Sequence, residues 1–194
     1  MHSLRPYQST DEPAWLRCRV LAFLDSAYYD DVLKAKPVHS NPSLDLVAEA
    51  NGAIVGLIDV EHEVEPDTLC SARPGPRAMI WTVAVLPEYR KQGIARELVE
   101  HTVEWAKDRG VRFLEAWTRD DPWVLAWYEA MGFRRFMSYW HLIYNEGAKE
   151  QFKSRNPAVR PQKVFAHLLE SPKKLEHLPD GMHECSGFEL AISS

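Results

Sequence analysis

The sequence predicts a mixed α/β domain with a central sheet of about six to seven strands flanked by about four helices. Three observations carry this. An Asn51-Gly52 pair lies between two apolar, strand-like runs. A strand, a long amphipathic helix, a second strand and a second helix follow in order between Ala78 and Gly132. The 194 residues are of a size that usually forms one core, so residues 1–194 read as one domain.

Composition narrows the class. Hydrophobic residues at 45% and charged residues at 26% are ordinary globular values, which excludes a disordered or fibrous chain. No apolar run approaches the roughly 18 residues needed to cross a bilayer. The opening Met1 to Pro6 also lacks the apolar centre of a secretory signal, so a cytoplasmic protein without membrane association is expected. A net charge of -5 argues against a nucleic-acid partner, which needs clustered Lys and Arg. Cys18, Cys70 and Cys185 are odd in number and far apart, so they read as buried or idle thiols rather than a zinc site.

The elements follow in order. Ser3 to Gln8 starts a strand, and Ser9-Thr10-Asp11-Glu12 supplies an S-x-x-E cap for a helix. Trp15, Leu16, Val20, Phe23 and Leu24 recur at helical spacing, and Tyr28 to Lys34 reads as a second, shorter helix. Leu44 to Ala50 and Ala53 to Val64 flank Asn51-Gly52 as a hairpin. Glu65 to Pro76 is a proline-rich loop before the apolar strand Ala78 to Leu86.

From Gly93 to Arg109 the positions Ile94, Leu98, Val99, Thr102, Val103 and Ala106 share one face, and Gly110 sits where a C-terminal cap belongs. Val111 to Trp117 is a buried strand, and Asp121-Pro122 opens a helix ending at Met131-Gly132. Phe133 to Asn145 and Cys185 to Ser193 read as strands. Between them lies a polar excursion, Glu146 to His183, with a short helix at Gln162 to Glu170. Its length marks it as a lid or substrate wall.

The sharpest chemical feature is the run from Val83 to Ala95, a buried strand turning through a basic, glycine-containing loop into the long helix. Free N–H groups and the positive end of the helix dipole make such a turn an anion site. Arg90, Lys91 and Arg96 add counter-charge. On its own, one glycine would read as a tight turn. The R-x-x-G-x-A pattern of Arg90, Gly93 and Ala95, preceded by Pro87-Glu88-Tyr89, closely resembles the acetyl-CoA loop of the GNAT superfamily of N-acetyltransferases.

That resemblance implies a GNAT-like acyl-CoA N-acyltransferase fold with acetyl-CoA as cosubstrate and no metal. It assigns the pyrophosphate to the main chain of Arg90, Lys91, Gln92, Gly93, Ile94, Ala95 and Arg96. It also implies that β-type pairing at Val83 and Val85 holds the pantetheine arm. Trp127 to Phe133 resembles the superfamily's Y-E-x-x-G-F stretch, which gives Tyr128 the role of protonating the departing thiolate. A core tyrosine with a satisfied hydroxyl is the alternative.

Asp121 stands where many relatives carry an asparagine that contacts the coenzyme. An aspartate accepts but cannot donate, and a helix-capping role is equally open. Met79 occupies roughly the position where some members have a catalytic glutamate. Glu61, His62 and Glu63 remain as candidate bases, against the alternative of a solvated strand end with ordered water as base. Trp81, Trp117, Trp123, Trp127, Tyr139 and Trp140 either line an acceptor pocket or pack the core.

The resemblance is specific from Trp81 to Phe133. It implies an enzyme that moves an acetyl group from acetyl-CoA to a primary amine of a small molecule or peptide by direct attack. A non-catalytic acyl-CoA-binding or regulatory module, and a transferase for a longer acyl-CoA, are the alternatives. The acceptor and the oligomeric state, a homodimer included, are not fixed by the sequence.

Overall fold

Hydrophobic alternation and helical spacing set most of the elements where expected, in a computed structural model that describes residues 2–71, 75–145 and 152–193, apart from 153, 157, 160 and 176. The strands are β1 (Ser3–Pro6), β2 (Ser43–Ala50), β3 (Ala53–Glu63), β4 (Arg77–Val85), β5 (Phe113–Thr118), β6 (Arg134–Tyr144), β7 (Val164–Leu168) and β8 (Gly181–Ala191). The helices are α1 (Glu12–Phe23), α2 (Ile94–Lys107) and α3 (Pro122–Ala130). Among the described residues no helix is long and apolar enough to cross a membrane.

The strands form one mixed sheet in the order β1-β2-β3-β4-β5-β8-β6-β7. Asn51 and Gly52 take φ of 51° and 76°, the left-handed pair that a two-residue hairpin turn requires. β4 and β5 are parallel and joined through α2, while the other neighbours are antiparallel. Leu46 and Ala48 pack in the cluster with Leu98 and Val99 of α2, whereas the intervening Val47 packs with Trp15 and Cys18 of α1. Alternation therefore puts α1 on one face and α2, with α3 through Tyr128, on the other.

The structure corrects several expectations. The inward face of α1 is Trp15, Cys18, Arg19 and Ala22, while Leu24 is 57% exposed. A 3-10 turn at Ser9–Asp11 precedes the helix, closed by the Asp11 carboxylate accepting the Gln8 N–H at 2.8 Å; Glu12 accepts the Lys36 N–H at 3.0 Å instead of completing the expected S-x-x-E cap. The expected helix from Tyr28 to Lys34 is absent, because the polar groups of this segment bond to other elements. The expected helix at Gln162 to Glu170 is strand β7, paired with β6 from Tyr144↔Val164 to Trp140↔Leu168.

β8 begins at Gly181 rather than Cys185, because Gly181 to Glu184 continue the β6 ladder opposite Ile143 to Trp140. The described sheet thus has eight strands against the six to seven expected, and three α-helices against four. The supposed excursion from Glu146 to His183 contributes β7 and the start of β8. Its residues 146–151 lie outside the described residues.

One close approach sets where α2 begins. A Cβ on Gly56 of β3 would lie 2.8 Å from Ile94 Cγ2 and 3.4 Å from the Ala84 carbonyl oxygen, so only hydrogen there lets the first turn of α2 rest on the sheet. Overpacking at such a point costs about 1–3 kcal/mol. Gly56→Val is expected to lower the melting temperature by about 2–12 °C, measured by calorimetry. An unchanged melting point would show that the start of α2 is free to shift.

Candidate active site

The parallel ladder pairs Arg77 to Ile80 with Phe113 to Ala116 and then stops, although β4 continues to Val85 and β5 to Thr118. On the other side of β4 the register slips: Asp59 faces Thr82 and Val60 faces Ile80, leaving Trp81 as an extra residue in a bulge. Bulges bend the strand and raise its twist. A cavity of about 490 Å³ fills the opening between the diverging strand ends. Val83 and Val85 line it from β4, Trp117 and Thr118 from β5, and Tyr128 from α3.

The loop after β4 closes one end. Pro87 to Tyr89 form a 3-10 turn, and Lys91 and Gly93 take φ of 61° and 86°. Gly93 suits this left-handed backbone, which strains residues bearing a Cβ. The first helical bond runs from Glu97 N–H to the Gly93 carbonyl at 3.0 Å. The N–H groups of Ile94, Ala95 and Arg96 thus precede the helical ladder, at the positive end of the dipole. The side chains of Lys91, Gln92 and Arg96 are exposed beside them. This donor set fits a diphosphate.

The Arg90 side chain has a different task. It donates to the Asp25 carboxylate at 2.7 and 2.9 Å and to the Ala22 carbonyl at 2.8 Å, and its guanidinium stacks 4.8 Å from the centre of the Trp123 ring. The hydrogen bond from Arg90 holds the Asp25 carboxyl below its ordinary pKa. Arg90 therefore ties the loop to the end of α1, and its main chain alone remains for an anion.

Two further arginines grip the same segment. Arg19 donates to the Asp31 carbonyl at 2.7 Å and to its carboxylate at 2.6 Å. Arg119, just beyond β5, donates to the Ala27 carbonyl and to Asp30 at 2.9 Å, and its guanidinium lies 4.7 Å from the Tyr28 ring centre. Both are buried, at 5% and 6% exposure. Asp121 accepts the Ala27 N–H with both oxygens, at 3.1 and 2.9 Å, and makes no side-chain cap on α3. Its carboxylate thus holds this turn rather than the start of α3, and Asp121 also lines the cavity.

Tyr128 is 4% exposed, stacked on Phe188 at 5.1 Å and edge-on to Trp127 and Phe133. Burial raises its pKa, which keeps the phenol protonated at neutral pH. The expected bases lie elsewhere: none of Glu61, His62 and Glu63 is among the described residues lining the cavity. Burial alone would raise the Glu61 carboxyl, but donation from Trp81 Nε1 at 2.8 Å and from Asn41, with His39 beside it, holds it below its usual value. Glu63 accepts the Leu69 and Cys70 N–H groups, each at 2.8 Å. Met79 is buried between Glu61 and Glu115 in the sheet.

Of the aromatic residues, Trp81, Trp117, Trp123 and Trp127 line the cavity. Tyr139 packs on Trp117 at 5.2 Å, and Trp140 belongs to a separate cluster with Leu142 and Tyr144. The sequence reading missed Arg19, Arg119 and Asp31. The one available signal was an arginine at the helical spacing of Trp15, Cys18 and Ala22.

Arg119 also imposes a protonation state. Its Nε donates to His141 Nδ1 at 3.2 Å, and burial, Arg119 and the neighbouring His167 and His183 together depress the pKa of His141 from 6.5 to about 4. Between these values the unfolded chain binds the proton that the native state refuses, so stability falls as pH is lowered through that window. His141→Gln is expected to flatten this loss, measured by urea denaturation at pH 4.5 to 7. An identical slope in the variant would show that His141 is not its source.

The family model described as the acetyltransferase (GNAT) family matches residues 3–133. Over 109 residues, 56% of this chain and 69% of the relative, the sequence is 28% identical to N-alpha-acetyltransferase 30 of Schizosaccharomyces pombe. The fold is similar to the ribosomal-protein-S18-alanine N-acetyltransferase of Escherichia coli, with a TM-score of 0.58 and 20% identity over 100% of this chain and 96% of that one. It is also similar to Arabidopsis thaliana NAA60 in complex with a bisubstrate analogue, with a TM-score of 0.59 and 16% identity over 100% and 99%. The matched region takes in both the loop at Arg90 to Arg96 and Tyr128, and the chain belongs to the GNAT family of acetyltransferases.

Proposed function

We propose that this acyltransferase uses acetyl-CoA to acetylate a primary amine by direct attack, with Tyr128 as the proton donor to sulfur. The observation that carries the reading is that an anion-binding loop and a buried, protonated phenol line one cavity, at the point where two parallel strands part. The N–H groups of Ile94 to Arg96 would hold the diphosphate, with Lys91 and Arg96 as exposed counter-charge. The β4 main chain beyond Ile80 is released from β5 and offers a strand edge at Val83 and Val85 for the pantetheine arm.

Acetyl-CoA, when bound, supplies the activated acyl thioester. The acceptor nitrogen forms the new bond to the acyl carbon as the carbon–sulfur bond breaks, Tyr128 gives its hydroxyl proton to the sulfur, and the proton the nitrogen sheds on becoming an amide returns through water to restore the phenol. The burial that keeps Tyr128 protonated would also raise the basicity of a thiolate formed beside it, which favours the transfer. Glu61, His62 and Glu63 do not line the cavity, so water takes the proton from the ammonium before attack. The curated relative and the Escherichia coli enzyme are both named for acyl transfer to nitrogen, which supports an amine acceptor.

Gly93→Glu places a carboxylate at the anion site and is expected to raise the acetyl-CoA KM by about tenfold or more. Tyr128→Phe is expected to lower kcat by about 100-fold with little change in acetyl-CoA KM, measured by thiol release. Equal losses in kcat and cofactor binding for Tyr128→Phe would remove the acid role. Absence of coenzyme A binding in calorimetry at millimolar concentration would remove the whole reading.

A further inference from the structure

The cavity extends past Tyr128 to the segment between α1 and β2, and its walls there are unequal in charge chemistry. Among the described residues that line it, the carboxylates are Asp31 and Asp121. Asp121 shares the Ala27 N–H between its two oxygens, so neither is left without a hydrogen bond. Asp31 is held differently: Arg19 reaches its main-chain carbonyl and its Oδ2, which fixes the residue at two points. Its Oδ1 takes no hydrogen bond from the described residues, and the side chain is 40% exposed.

A carboxylate has acceptor capacity on both oxygens, and one guanidinium contact on Oδ2 leaves Oδ1 available. Arg19 also lines the cavity but is buried, with a side chain 6% exposed against 40% for Asp31, so the carboxylate is the more accessible member of the pair. The ion pair orients the carboxylate, and the open oxygen can accept from an ammonium.

Apolar surface completes the wall. Trp81, displaced outward by the bulge, is 51% exposed and lines the same cavity. Its indole is locked in place by Nε1 donation to Glu61 at 2.8 Å and by stacking on His39 at 6.2 Å. Trp123 is also half-exposed, but Arg90 already covers one of its faces. A fixed indole and an open carboxylate on one cavity select a cation carried on an apolar or aromatic body.

We propose that Asp31 receives the acceptor's ammonium group, and that the acceptor is a primary amine carried on an apolar or aromatic body; this rests on the acetyltransferase reading above. The role is one of substrate binding, with Arg19 as the residue that positions the carboxylate.

The test is titration calorimetry at neutral pH on the full chain, first with coenzyme A and then, in its presence, with phenethylamine and with its uncharged counterpart 2-phenylethanol. The wild type is expected to bind the amine about tenfold more tightly than the alcohol. Asp31→Asn keeps an oxygen for Arg19 and is expected to abolish that preference while leaving coenzyme A affinity within about twofold. Asp31→Glu is expected to retain part of the preference. Coenzyme A binding without an amine preference in the wild type, or with a preference unchanged in Asp31→Asn, overturns the assignment to Asp31. Failure of coenzyme A itself to bind overturns the acetyltransferase reading, and this proposal with it.

Discussion

The architecture depends on a broken pairing. β4 and β5 hydrogen-bond from Arg77 and Phe113 to Ile80 and Ala116, and at that point an extra residue, Trp81, enters β4. Strands that stay in register leave no room between them. Strands that part inside a sheet expose main-chain donors and acceptors to whatever enters, at a depth where side chains from both layers converge. The loop into α2 and the turn after α1 both line this opening and are joined through Arg90.

Keeping such an opening requires bracing, since a gap in a core tends to collapse. Three buried or half-buried guanidiniums supply it, from α1, from the loop after β4 and from the end of β5. Each bonds both a main-chain carbonyl and a carboxylate in the stretch from Ala22 to Asp31. The turns that follow α1 are thereby tied to three other elements, their own short-range backbone bonds supplemented by side chains of neighbours.

What was legible in the sequence was local. The loop from Arg90 to Arg96, the stretch around Tyr128, and the Asn51-Gly52 hairpin are each written in consecutive residues, and backbone rules act on consecutive residues. Of the cavity wall, the tryptophans were candidates in the sequence, but the turn carrying Asp31 was not legible, because Arg19, Arg119 and Asp121 reach it only through pairings between distant elements. Helix propensity misplaced Tyr28 to Lys34 for the same reason. At Val164 to Leu168 the alternation was present, with Val164, Ala166 and Leu168 turned inward, but five residues carry too little signal to separate strand from helix. The bulge at Trp81 left no trace, since one inserted residue in an apolar run reads like any other.

Arg90 belongs to the loop before α2 by its main chain and to the turn at the end of α1 by its side chain. A single residue shared by two surfaces transmits restraint between them: whatever quiets the loop also removes slack from the turn beside Asp25. Were both halves of the cavity to take ligands, any coupling between them would run through this one side chain and, by linkage, act equally in both directions.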